Sequence, residues 1–235
     1  MVIEVSKTIG ILGGMGPRAT VDLFEKIVSN TPATKDQDHL HILVNNNPQI
    51  PSRVEVFTDR NANPLPALIQ SALVLEKAGA DFIIMPCHTA HIWIEELQKN
   101  TSVPFYNMVE STVAYIVERR TDSQKIIILA TPTTLRKQLY QKLLQEYNVD
   151  FTVPTKSEQQ IVYNSILKVK SGSIQDNPYI NSINEILSSY KEKGVTSLLA
   201  ACTELPLLYP FLTNDMEILD PTLILAKMAV RKAFE

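Results

Sequence analysis

The chain of 235 residues contains two cysteines, Cys87 and Cys202, and each lies where an apolar run gives way to a turn. Cys87 stands in Met85-Pro86-Cys87-His88-Thr89-Ala90-His91, after the apolar stretch Asp81 to Met85. Cys202 stands in Ala200-Ala201-Cys202-Thr203-Glu204-Leu205-Pro206, after Thr196 to Ala201. Both contexts read as a strand delivering a cysteine to a turn that opens a helix or helical turn. A helix N-terminus offers unpaired N–H groups and positive partial charge, which favour a thiolate. Thr89 and Thr203 follow closely, and a threonine hydroxyl there can cap the helix or bond a bound carboxylate. A lone cysteine is as readily a small buried hydrophobe. Two in matching contexts favour chemistry. A pair of opposed thiols suits racemisation at a carbon bearing hydrogen: one thiolate removes the proton, and the other thiol returns one to the opposite face. The developing negative charge then needs N–H groups, hydroxyls or a cation.

The elements that must position these residues repeat. Residues 8–13 read as a strand ending in glycine, and 18–29 as a helix with apolar Ala19, Val21, Phe24, Ile27 and Val28. His39 to Val44 reads as a strand, and Pro64 to Gly79 contains a helix stopped by its glycine. The strand at Asp81 to Met85 then leads through Cys87 into a helix reaching Trp93 and Leu97. The pattern restarts with a strand at Lys125 to Ala130, a turn at Thr131 to Thr134 and a helix from Leu135 to Tyr147. Helices at 158–170 and 178–193 and the strand before Cys202 follow. In each half, one cysteine comes roughly 80 residues after the first strand, just past a strand's carboxyl end, where open α/β sheets bind ligands. Alternating strands and helices imply parallel sheets under covering helices.

Four motifs together resemble the aspartate/glutamate racemase family, and within it the aspartate racemase branch. They are Gly13-Gly14-Met15-Gly16-Pro17, Asn46-Asn47-Pro48-Gln49-Ile50-Pro51-Ser52-Arg53, Pro86-Cys87-His88-Thr89-Ala90-His91 and Cys202-Thr203-Glu204-Leu205-Pro206. Related glutamate racemases usually follow the second cysteine with Thr-His, whereas here it is Thr-Glu. The resemblance implies an α/β fold of two pseudo-symmetric, Rossmann-like three-layer αβα domains with parallel-rich sheets. One would comprise 1–112 plus 221–235 and carry Cys87; the other would comprise 113–220 and carry Cys202, with the site between them. It further implies a homodimer without pyridoxal phosphate, other cofactor or metal, with Cys87 and Cys202 as the acid/base pair. The chain departs from the family in two places. His88 replaces the Asn that helps hold substrate, which bears on substrate identity, and Ala201 replaces the usual Gly. A protonated His88 would favour the Cys87 thiolate.

Further candidates are weighed against plainer roles. The glycine turn lacks the Gly-Lys-Ser/Thr ending of a nucleotide loop and the spacing of a dinucleotide fingerprint; it can instead present N–H groups to a carboxylate. By resemblance Met15 lines the site. Arg53 suits bidentate binding of a substrate carboxylate, though a loop arginine is often merely solvated. By resemblance Lys168 binds substrate opposite Arg53, with Lys170 its competitor. Thr131 mirrors the glycine turn and could cap a helix or touch the carboxylate. Glu204 could orient a neighbour, contact substrate or remain structural, and its charge would oppose a Cys202 thiolate unless turned away. A zinc site from Cys87, His88, His91 and Cys202 is a rival reading, as are a related isomerase or decarboxylase on a dicarboxylic acid and a non-catalytic amino-acid-binding protein.

The formal net charge of −3, with 20% charged residues, gives no basic footprint for nucleic acid or anionic lipid. The opening Met1 to Lys7 lacks the features of a signal peptide, and no apolar run is long enough for a membrane span. The expected partner is a small acidic amino acid, and the expected location is the cytoplasm.

Overall fold

A computed structural model of the chain describes residues 6–55, 63–121 and 123–235. The start of the opening segment read above for a leader, residues 1–5, lies outside them. In chain order the elements are β1 (Ile9–Gly13), α1 (Pro17–Asn30), β2 (Ile42–Asn46), α2 (Leu65–Lys77), β3 (Phe82–Ile84), α3 (Ile94–Lys99), α4 (Met108–Arg119), β4 (Lys125–Ala130), α5 (Pro132–Arg136), α6 (Gln141–Glu146), β5 (Asp150–Thr152), α7 (Lys156–Lys170), α8 (Ile180–Glu192), β6 (Ser197–Ala201), β7 (Glu217–Leu219) and α9 (Pro221–Ala233). They form two compact units, Met1–Ser111 with Thr222–Glu235, and Thr112–Pro221. No helix among the described residues is long and apolar enough to cross a membrane.

The first unit is built on a parallel sheet of order β2-β1-β3. A lone parallel bridge from Ile83 to Phe105 lies beyond β3. β1 is the central strand, and all five of its residues are buried. Its side chains alternate between two cores. Ile9 and Ile11 pack with Leu23 and Ile27 of α1 and Leu225, Ala226 and Ala229 of α9. Leu12 packs on the other side with Leu68 and Leu75 of α2 and Leu97 of α3. A strand covered on both faces must be apolar throughout, which is why β1 reads as a continuous run.

The second unit repeats the order with one more strand, β5-β4-β6-β7, again all parallel. Ile127 and Leu129 of β4 and Leu198 and Ala200 of β6 pack against Val162 and Ile166 of α7 and Ile183 and Leu187 of α8. α7 begins with a reciprocal cap: Thr155 accepts from the backbone of Glu158, whose side chain accepts from the backbone of Thr155.

Three local expectations change. α1 buries Ala19, Thr20, Leu23 and Ile27, while Val21 is 67% exposed and Phe24 39% exposed. The hydroxyl of Thr20 belongs inside because it serves the glycine turn, and this rotates the buried face. The helix expected from Leu135 to Tyr147 divides into α5 and α6, with Gln138 between them at φ +56°. The helix expected after Cys87 begins as a 3-10 helix, Thr89–Trp93, and becomes α-helical only at Ile94.

Gly14 holds φ +95°, and a β-carbon there would lie 2.3 Å from the backbone of Asn47. Gly79 has a similar φ of +94° but opens onto empty space. Gly79→Ala should therefore lose only about 1 kcal/mol, the usual left-handed penalty. Gly14→Ala adds a backbone clash, and its loss should reach about 3 kcal/mol. Urea unfolding midpoints of the two variants measure the difference, and equal losses would mean that the Asn47 contact is unimportant.

Candidate active site

In the first unit, three of the sequence motifs meet at the carboxyl end of the sheet. The β1–α1 turn is held by Thr20, whose Oγ1 accepts from the Gly14 N–H at 2.9 Å and donates to the Gly16 carbonyl at 3.3 Å. The Asn47 N–H reaches the Gly13 carbonyl at 3.4 Å, tying the loop after β2 to this turn. Asn47 further donates through Nδ2 to Ser71 Oγ of α2 at 3.2 Å and accepts from the Gln49 N–H through Oδ1 at 3.0 Å. The Asn-Asn-Pro motif is thus mainly a brace.

Arg53 closes the brace. Its Nη1 donates to the carbonyls of Ile50 and Pro51 at 2.9 and 2.8 Å, and its Nη2 donates to the Met15 carbonyl at 3.2 Å. Its buried Nε has no hydrogen-bond partner among the described residues, so that N–H remains for a ligand. Met15, Ile50 and Cys87 belong to one buried cluster. Cys87 itself is 6% exposed.

The turn carrying Cys87 is fixed by His91. The Met108 N–H donates to His91 Nε2 at 3.1 Å, so Nε2 carries no proton. Nδ1 therefore bears the hydrogen and donates it to the Cys87 carbonyl, 2.8 Å away. Burial lowers the His91 pKa to about 4, against an ordinary 6.5. Burial, with some help from His91, likewise holds His88 well below its ordinary value. Burial thus works against a protonated His88 supporting a Cys87 thiolate. Both His91 nitrogens are occupied by backbone, which removes it from the rival zinc set. Among the described residues no three His, Cys, Asp or Glu side chains converge on a metal position. Thr89 is buried, and the cap position of the 3-10 helix is His88, whose side chain makes no cap bond.

In the second unit, β6 delivers Cys202 to a turn leading into a 3-10 helix, Leu205–Phe211. The cap position is Glu204, whose side chain makes no cap bond. The Thr203 hydroxyl lies 3.5 Å from Glu204 Oε2. Glu204 is turned toward the thiol: Cys202 Sγ donates to Oε2 at 3.0 Å. The expected easing of thiolate formation by backbone N–H groups is outweighed here. Burial first, then the Glu204 charge, push the Cys202 pKa well above its ordinary 9.0, with Lys170 partly opposing them. Thr131 does cap α5, accepting from the Thr134 N–H at 3.2 Å.

The two candidate lysines separate. Lys170 Nζ lies 3.5 Å from Glu204 Oε1. Lys168 is exposed and lines a shallow pocket with Asn164, Leu167, Ser171 and Tyr179. At about 100° per helical residue, two positions differ by about 200°, so the lysines flank the buried stripe of α7 on opposite sides. Lys170 is therefore the one that reaches the cysteine turn, while Lys168 lies on the other side of the stripe.

Comparison with known proteins gives a consistent result. Residues 12–229 match the family model described as Asp/Glu/Hydantoin racemase. The chain is 29% identical over 229 residues to the broad specificity amino-acid racemase RacX of Bacillus subtilis, covering 94% of this chain and 96% of that protein. The solved structure of Picrophilus torridus aspartate racemase superposes with a TM-score of 0.85 at 32% identity, covering 97% of this chain and 94% of that one. An aspartate racemase homologue from Pyrococcus horikoshii shares the fold, with a TM-score of 0.77 at 24% identity over 97% of this chain and all of that one.

The buried histidines make a pH prediction. A folded-state pKa below the unfolded value means that the unfolded chain binds more protons in acid. Stability is then fully present above pH 6.5 and falls as the pH drops toward about 4. The His91 share is on the order of 3 kcal/mol. Chemical unfolding across that range should show the loss, with His88→Asn and His91→Gln each shrinking it. A flat wild-type profile would refute the neutral assignment.

Proposed function

This chain belongs to the Asp/Glu/hydantoin racemase family, and we propose that it is a cofactor-independent amino-acid racemase interconverting L- and D-aspartate, with glutamate as a second acidic substrate. The observation that carries the proposal is the duplication of one arrangement: two parallel sheets of the same strand order, each ending a strand beside a buried cysteine, Cys87 after β3 and Cys202 after β6.

In this mechanism one thiolate takes the α-proton and the other thiol protonates the opposite face, with the roles exchanged for the other enantiomer. The α-carbanion is stabilised through the substrate carboxylate by N–H and hydroxyl donors. The spare Nε–H of Arg53 binds a carboxylate, Met15 packs beside the substrate, and Thr89, Thr131 and Thr203 supply hydroxyls from the two cysteine turns and the β4–α5 turn. His88, neutral and buried, replaces an amide as a polar contact. A cytoplasmic homodimer belongs to the same proposal, and sedimentation velocity tests the dimer.

A second reading, a wider substrate range, is favoured by Arg53. Three of its hydrogen bonds go to backbone carbonyls, which leaves less of its fork for a side-chain carboxylate. RacX is itself described as having broad specificity.

The experiment is deuterium exchange at the α-carbon. L-aspartate, D-aspartate, L-glutamate and L-alanine are each incubated with the protein in heavy water under reducing conditions without added cofactor. Proton NMR follows exchange, and chiral chromatography follows inversion. Exchange with inversion of aspartate is the expected result; turnover of alanine at a similar rate selects the wider range, and no exchange with any substrate refutes the racemase. Cys87→Ala and Cys202→Ala should each abolish inversion while the fold persists, and normal turnover in either would sink the two-thiol mechanism. Arg53→Ala should chiefly raise KM, by about tenfold or more for a lost charge-assisted bond, and an unchanged KM would remove it from the site.

A further inference from the structure

Glu204 is a buried charged group that the two-thiol scheme does not use. Its side chain is 3% exposed, and an ionised carboxylate at such a place needs partners. Two converge on it from different elements. Cys202 Sγ lies 3.0 Å from Oε2, and Lys170 Nζ lies 3.5 Å from Oε1. An ionised carboxylate can only accept, so the contact at Oε2 requires the hydrogen to be on sulfur. A thiolate in the same position would place two negative charges 3.0 Å apart. Among the described residues, the charged groups acting on Cys202 are Glu204 from its own turn and Lys170 from α7. Two residues beyond Cys87 stands Thr89, so the matching place in the first unit carries no carboxylate.

We propose that Glu204 is a positioning residue that keeps Cys202 as a protonated acid through the Sγ–H···Oε2 bond, and that Lys170 sets how firmly it does so by neutralising Glu204. When Cys202 protonates the substrate carbon, its S–H bond breaks, a C–H bond forms and the electron pair stays on sulfur. The sulfur then bears a charge beside Glu204, and the Lys170 ammonium offsets it. In the reverse direction the Cys202 thiolate takes the α-proton, an S–H bond forms, and the C–H electron pair passes to the substrate carbon. The sulfur is returned to its bond with Glu204. The catalytic consequence rests on the racemase reading, but the state of the thiol does not.

The test is therefore made first on the thiol. In a Cys87→Ser background, thiolate ultraviolet absorbance is titrated against pH, with the Cys87→Ser/Cys202→Ser double variant subtracted to remove tyrosinate. Adding Glu204→Gln should move the Cys202 midpoint down, because a negative neighbour is lost. Adding Lys170→Met should move it up, because the offsetting charge is lost, and Glu204→Asp should return it toward the parent. Shifts of opposite sign are the expected result; midpoints that stay put, or that move the same way, overturn the proposal. Should Glu204→Gln not fold, Lys170→Met decides alone, with no upward shift overturning it. With both cysteines present and substrate turned over, Glu204→Gln should lower kcat by about tenfold or more with KM little changed. A raised KM with kcat intact would make Glu204 a substrate contact instead and overturn the positioning role. If no substrate is turned over, the racemase reading fails while the titration still judges this one.

Discussion

The backbones of Gly14 and Asn47 approach so closely that no β-carbon fits between them, and much of the first unit's site depends on that approach. The contact brings the loop after β2 against the turn after β1. Arg53 can then span from its own loop to the Met15 carbonyl, and Met15 can occupy the cluster that contains Cys87. The parallel sheet makes this possible, since it delivers the carboxyl ends of neighbouring strands to one edge. Thr20 completes the arrangement from α1, and for that reason a polar residue takes a buried helical position. A single residue without a side chain thus aligns several that have one.

The second unit reaches a comparable placement by different means. Its first turn is capped by a threonine hydroxyl instead of being formed by glycines, and its cysteine faces a carboxylate. The cysteine turns also differ in how they are anchored. Cys87 is restrained through its backbone carbonyl by a neutral imidazole, which leaves the sulfur outside that bond. Cys202 is engaged through the sulfur itself. Near-duplicate folds have therefore acquired unlike electrostatics around their thiols.

Much of the framework is legible in the residue order because its central strands are buried on both faces. β1 is apolar throughout, β4 and β6 are apolar after their first residues, Lys125 and Ser197, and glycines mark the ends of α2 and α8. β5 and β7 have three residues each, too few to show a period. α4 is rich in β-branched Val109, Thr112, Val113, Ile116 and Val117, so its helical signal is weak and its state is set by packing. α9 does announce its start, since Asp220 precedes Pro221 at the first helical position. The side-chain partnerships are less legible. Spacing brings Lys168 and Lys170 equally near the edge of the α7 stripe, and only the chain's path past that helix brings Lys170 to Glu204. The sequence likewise puts Glu204 two residues from Cys202 without saying which way the carboxylate turns.

The unlike surroundings of the two thiols have a thermodynamic consequence for an enzyme that inverts a stereocentre. Mirror-image amino acids have equal free energies in water, so the equilibrium between them is balanced. The Haldane relation then forces kcat/KM to be the same from either enantiomer, however different the groups that receive them. Under the proposed mechanism the Cys202–Glu204 contact can raise or lower that shared constant for both directions together, and can change how each direction divides it between saturation and turnover, but it cannot favour one direction over the other. Any asymmetry that the two thiols impose would then survive as a difference in how long each mirror image is retained, and not in kcat/KM.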